Sequence, residues 1–107
     1  MAKTEEIAME IISKAGDARA KIASALKSAR RGNFGEAEDS LKDANALLIE
    51  AHQIQTEQLL KKEAEGQLEG PFNVLISHAQ DYVMTGMAMN EMAKEIVNLY
   101  AKVRAAK

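Results

Sequence analysis

The chain has 107 residues, 47% hydrophobic and 28% charged, with one proline, six glycines and no cysteine or tryptophan, and its 14 basic and 16 acidic residues leave a net charge of -2. Without cysteine it cannot be a disulfide scaffold, a thiolate metal site or a cysteine-nucleophile enzyme, and without a basic stripe it does not resemble a nucleic-acid binder. A single domain over residues 1–107 is expected, able to bury about two-thirds of an unfolded surface of roughly 17,000 Å²; no apolar run approaches the ~18 residues of a membrane span, and acidic residues within positions 1–12 argue against a secretory signal, so the expected setting is cytoplasmic, without direct membrane insertion.

Thr4 is placed to cap a first helix, whose apolar positions Ile7, Ile11, Ala15, Ala18, Ile22, Ala25 and Ala29 recur every three or four residues and trace one face. It should end near Gly32. Asn33 and Glu36 have the spacing of a capping box, in which each side chain takes a free backbone N–H at the start of the next helix. That helix carries Phe34, Ala37, Leu41, Ala44, Leu48 and Ala51 on one stripe, and Gly66 is a natural stop. Gly70 and Pro71 then open a third helix, because proline is tolerated at the first helical position. Over residues 71–105 it would be roughly 50 Å long at 1.5 Å per residue. Short links join antiparallel neighbours, so the expected fold is all-α, an elongated antiparallel three-helix bundle.

The third helix is apolar on too many sides for one chain to cover. Leu75, His78, Tyr82, Thr85, Met89, Met92, Ile96, Leu99 and Val103 form one stripe, read as the inner one. Ile76, Val83, Met87, Asn90 and Val97 form a second, and Met84 and Ala88 fill more of the circumference. A helix apolar around most of its surface is a buried helix, and a second copy of the chain is the simplest cover. The expectation is a homo-oligomer with this helix at the interface; the alternative is a monomer with an exposed methionine-rich patch, which is unusual.

His78 and Asp81 interrupt the stripe, with Tyr82 one turn beyond the histidine. Residues three and four apart are neighbours on a helix, so imidazole, carboxylate and phenol converge. A histidine there can be a metal ligand, an acid–base group or a nucleophile, with Asp81 orienting it or sharing a metal. It can equally be a hydrogen-bonded histidine at a partly buried interface. His52 reads as a polar position on the second helix, and Met84, Met87, Met89 and Met92 as packing residues. There is no glycine-rich phosphate loop, no paired histidine metal motif and no Ser-His-Asp context.

Residues 78–85 read HAQDYVMT, which closely resembles the HAQDHLMT signature of the enzyme IIA component of the lactose/cellobiose (N,N'-diacetylchitobiose) family of bacterial phosphotransferase systems. Residues 15–19, AGDAR, and 50–56, EAHQIQT, resemble strings in the same family. Three motifs in order extend the resemblance over essentially the whole chain. It implies a phosphotransferase component: His78 accepts a phosphoryl group from phospho-HPr, as a tele-phosphohistidine on Nε2, and passes it to a cysteine of the cognate IIB, feeding uptake of a β-linked disaccharide or β-glucoside. It also implies a homotrimer, a nine-helix bundle in which the aspartates matching Asp81 cluster near the threefold axis. A structural divalent metal such as Mg²⁺ would hold them there, and the histidines lie between subunits.

In-line transfer between nitrogens needs positioning more than covalent help, with Nδ1–H held by a nearby acceptor. An ionised Asp81 close to His78 would repel an incoming phosphoryl group, so Asp81 is assigned to assembly or metal binding, while Gln80 and Tyr82 are further site candidates. Tyr82 stands where the family commonly has a second histidine, and a phenol cannot become a cation near neutral pH. Val74 and Leu75 are expected docking positions beside His78. The rival readings are a non-enzymatic trimeric helical adaptor and a metal-binding bundle using His78 with Asp81.

Overall fold

A computed structural model describes residues 2–60, 66 and 74–106. Its long helices are α1 (Ala2–Arg30), α2 (Phe34–Ile54) and α3 (Val74–Ala105), and α2 runs on into one π-helical segment, Gln55–Leu60. The bundle is 58 Å long and 19 Å across in both other directions. Lys14 pairs with Glu50 and Lys21 with Asp43, which sets α2 antiparallel to α1. Gly16 lies beside Tyr82 and Gly32 against Arg104, so α3 runs parallel to α1. Glu50, hydrogen-bonded to Lys14, raises the lysine's pKa above its usual value, but exposed pairs of this kind contribute little to stability.

Each helix buries a seam that steps by three and four. On α1 it runs Ala8, Ile11, Ala15, Ala18, Ile22, Ala25 and Ala29, and on α2 Ala37, Leu41, Ala44, Leu48 and Ala51. Every expected core position of α1 is therefore buried, and on α2 only Phe34 is left half-buried at the rim. On α3 the seam is Ala79, Val83, Gly86, Asn90, Ala93 and Val97. Alanine or glycine thus recurs every seven residues at 37, 44 and 51 and at 79, 86 and 93. Small residues at these places let helix axes approach toward the lower end of the usual 8–10 Å separation. The contact is tight at Gly86, where an added Cβ would lie 3.0 Å from Leu48 Cδ2.

This seam corrects the expected orientation of α3. The stripe of His78, Thr85, Met89, Met92, Ile96, Leu99 and Val103 faces outward, with Tyr82 and Leu75 half-buried at its edge. The row containing Val83, Asn90 and Val97 faces α1 and α2. Close approach of the alanine-rich seams on α1 and α2 favours the row of α3 that carries Ala79, Gly86 and Ala93, so side-chain size chooses the inner face.

The helix ends also depart from expectation. Nothing ahead of Thr4 breaks the helix, because Ala2 and Lys3 are good helix formers, and Thr4 lies inside α1 rather than capping it. Gly32 closes α1 with φ at +88°: its N–H donates to the Ala29 carbonyl at 3.0 Å, and that of Asn33 to the Ser28 carbonyl at 2.8 Å. This is the Schellman pattern. It occupies the Asn33 N–H that Glu36 would have taken, and the Asn33 side chain makes no capping bond. At the far end of α2 the buried residues Ala51, Gln55 and Leu59 step by four and four, a spacing that the wider π turn keeps on one face. Gly66 adopts the left-handed φ, +68°, expected of a helix stop; the opening at Gly70 and Pro71 lies outside the described residues.

Candidate functional site

The residues of the 78–85 motif occupy the second and third turns of α3, where the inward seam of Ala79 and Val83 fixes how the helix is rotated. With those two directed at α1 and α2, His78 and Asp81 come out on the opposite, exposed side. Gln80, two residues from His78, points away from it; it is half-buried and its Nε2 has no hydrogen-bond partner. Tyr82 is half-buried and bridges the two environments.

The imidazole of His78 stacks on the Tyr82 ring, with centroids 5.4 Å apart and planes inclined at 26°. Tyr82 is itself held by α1. Its ring lies beside Gly16, where an added Cβ would be 3.7 Å from Cε2 and the hydroxyl, and under the Arg19 guanidinium, whose carbon is 4.1 Å from the ring centroid. Arg19 Nη2 donates to the Tyr82 carbonyl at 3.1 Å and to Thr85 Oγ1, and Nη1 lies 3.1 Å from Met89 Sδ. Thr85 Oγ1 in turn donates to the Asp81 carbonyl at 2.7 Å.

Of the four site residues expected from sequence, the structure brings His78 and Tyr82 into contact. It leaves Asp81 exposed on the same side and Gln80 on another. The expected acceptor for His78 Nδ1–H is not found among the described residues; the contact His78 makes is the ring stack. His52 remains half-buried on α2 and does not join them. Val74 is 74% exposed, whereas Leu75 is half-buried, so only Val74 is fully presented for docking.

Arg19 and Gly16 had no assigned role in the sequence. Their signal was present, since both fall in AGDAR at a spacing of three that puts them on one face of α1. A groove of about 430 Å³ between α2 and α3, lined by Leu41, Ile49, Lys94 and Val97 among others, lies farther along the bundle and contains none of the motif residues.

Carboxylate oxygen is a suitable donor for a hard cation such as Mg²⁺. Among the described residues of one chain, however, no three His, Asp or Glu side chains come together to hold a metal. Asp81 fits such a site only as one ligand of a set completed by other copies. What one chain presents is an accessible imidazole backed by a clamped aromatic ring, at the edge of an exposed apolar face that includes Met89, Met92, Ile96, Leu99 and Val103. Among the described residues, no helix is long and apolar enough to cross a membrane.

The family model described as "PTS system, Lactose/Cellobiose specific IIA subunit" matches residues 6–101. The lactose-specific EIIA component of Lactococcus lactis is 36% identical over 96 residues, covering 90% of each chain. The crystal structure of a cellobiose-specific enzyme IIA from Bacillus anthracis superposes with a TM-score of 0.91 at 36% identity, over 100% of this chain and 96% of that one. The solution structure of the chitobiose IIA–HPr complex of Escherichia coli matches with a TM-score of 0.80 at 32% identity, over 94% of this chain and 95% of the matched one.

Proposed function

The chain belongs to the lactose/cellobiose-specific IIA family of the sugar phosphotransferase system, and we propose that it is a cytoplasmic phosphocarrier in which His78 takes a phosphoryl group from phospho-HPr and gives it to a cysteine of the cognate IIB. The observation that carries this reading is the exposed imidazole of His78, stacked on Tyr82 within the motif of residues 78–85. The chitobiose IIA solved in complex with HPr supports HPr as the donor.

In the first step the Nε2 lone pair of neutral His78 attacks phosphorus in line. The bond from phosphorus to the HPr histidine breaks as the bond to Nε2 forms, and Nδ1 keeps its proton. In the second step the IIB thiolate attacks the same phosphorus and returns the electron pair to Nε2. Both steps conserve charge on the transferred group and depend on alignment and electrostatic stabilisation. An exposed histidine suits two partners that must reach it in turn. The cargo of the relay is a β-linked disaccharide or β-glucoside, in keeping with the lactose and cellobiose specificities of the relatives.

The assembly in this reading is a homotrimer, with the outward stripe of α3 covered by the same stripe of two other copies. Asp81 lies on the line of that stripe, so threefold packing along it gathers three carboxylates, and the Nδ1–H acceptor comes from a neighbouring copy. Three such charges repel. A divalent metal held by Asp81 from each copy would neutralise them and act structurally.

The test supplies phosphoenolpyruvate, enzyme I and HPr to the protein. An acid-labile, alkali-stable phosphate that disappears in His78→Ala is the expected result. An unlabelled wild-type protein would leave a non-enzymatic helical adaptor as the better reading, and metal loss in His78→Ala would favour a metal-binding bundle.

A further inference from the structure

We infer that Arg19 is a positioning residue for His78, acting through Tyr82; the inference rests on the phosphocarrier reading for its consequence but not for its geometry. Arg19 is a half-buried cation that pairs with no carboxylate among the described residues, and its Nε is buried without a hydrogen-bond partner. Leaving a buried polar group unpaired is costly, so the rest of the side chain must be held by other contacts. Those contacts all lie on one stretch of α3: the Tyr82 ring and carbonyl, Thr85 Oγ1 and Met89 Sδ. The guanidinium thus grips Tyr82 at both its ring and its backbone.

Tyr82 is in turn the group the imidazole rests on. The separations of 5.4 Å from His78 to Tyr82 and 4.1 Å from Tyr82 to the guanidinium carbon bound that carbon to within 9.5 Å of the imidazole centre. Only the Tyr82 ring separates the guanidinium from the imidazole. Gly16 flanks the ring on the α1 side, where even an added Cβ would meet Tyr82 at an ordinary contact distance of 3.7 Å. An exposed helical histidine without such backing would sample two staggered χ1 wells, the third being closed by the preceding turn. Holding one of them keeps Nε2 on the line of attack.

A structural rivet between α1 and α3 would show the same contacts, so the test reads the imidazole itself. In the unphosphorylated wild type, the His78 ring protons should carry a ring-current shift from Tyr82 by NMR. Arg19→Gln, checked for retained helicity by circular dichroism, should move those signals toward exposed-histidine values. It should also slow phosphoryl uptake from phospho-HPr about two- to tenfold, since sharing the imidazole between two rotamers costs about twofold and misalignment adds to it. Arg19→Lys, which keeps a cation near the ring, should recover part of the rate. Tyr82→Leu should produce both effects alone, and adding Arg19→Gln to it should change the rate no further. Unchanged His78 signals in a folded Arg19→Gln protein, or additive rate losses in the double variant, would overturn the inference. A wild type that takes up no phosphate refutes the phosphocarrier reading instead, while the NMR comparison still decides whether Arg19 positions His78.

Discussion

Replacing Leu99 by aspartate is expected to separate the subunits without unfolding them. Leu99 is 61% exposed in the single chain, so the substitution should change the stability of an isolated subunit by no more than about 0.5 kcal/mol. In the proposed trimer the same side chain would be covered by other copies. Full burial of a leucine is worth about 1.5–3 kcal/mol, and the exposed three-fifths of it roughly 1–2 kcal/mol per subunit, or about 3–6 kcal/mol for three. That is a loss of about two to four decades in the assembly constant, before the further cost of taking three carboxylates out of water. Sedimentation velocity over a concentration series should therefore show a trimer for the wild type and monomer for Leu99→Asp, with equal helicity by circular dichroism. A wild type that sediments as a monomer at tens of micromolar, or a variant that remains trimeric there, would refute the assignment of the outward face of α3 to self-association.

Tyr82→His should leave the fold intact and preserve transfer at an altered rate; equal rates with both HPr and IIB would remove the phenol from the site. Gly86→Val should destabilise the subunit by about 1–3 kcal/mol, because a Cβ there already meets the buried Leu48 Cδ2 at 3.0 Å and valine adds two methyl groups beyond it; a denaturant midpoint equal to that of the wild type would contradict the close α2–α3 contact. If a divalent metal balances three Asp81 carboxylates, chelation should lower the melting temperature of the wild type but not of Asp81→Asn. A wild-type melt indifferent to chelator would remove the metal from the account.

The cores of α1 and α2 were legible because each carries one apolar stripe, and a single stripe has only one way to face. Helix α3 carries two, and apolarity alone ranked the wrong one as inner. The deciding information was size: Ala79, Gly86 and Ala93 repeat every seven residues, in step with the alanines at 37, 44 and 51 of α2, and a face that small packs closest. The same distinction explains why apolar content exceeded what one subunit buries. The large residues of α3 are the surplus, and they lie together on its outward side.

At the site, His78 stood out through its motif and Tyr82 through its spacing from it. Arg19 did not, because its partners are 63 to 70 residues away in the chain and only the parallel course of α1 and α3 brings them together. The capping box at Asn33 shows the opposite limit. Its spacing was correct, but the Asn33 N–H was already committed to closing the preceding helix, a competition that local patterns do not reveal.

The central claim is that His78 carries the phosphoryl group on Nε2. Protein phosphorylated from phosphoenolpyruvate through enzyme I and HPr, then studied by nitrogen and phosphorus NMR with the imidazole nitrogens labelled, should show phosphorus coupled to Nε2 of His78, and that signal should vanish on addition of the cognate IIB. Phosphorus on any other residue, or no bound phosphorus at all, would contradict it.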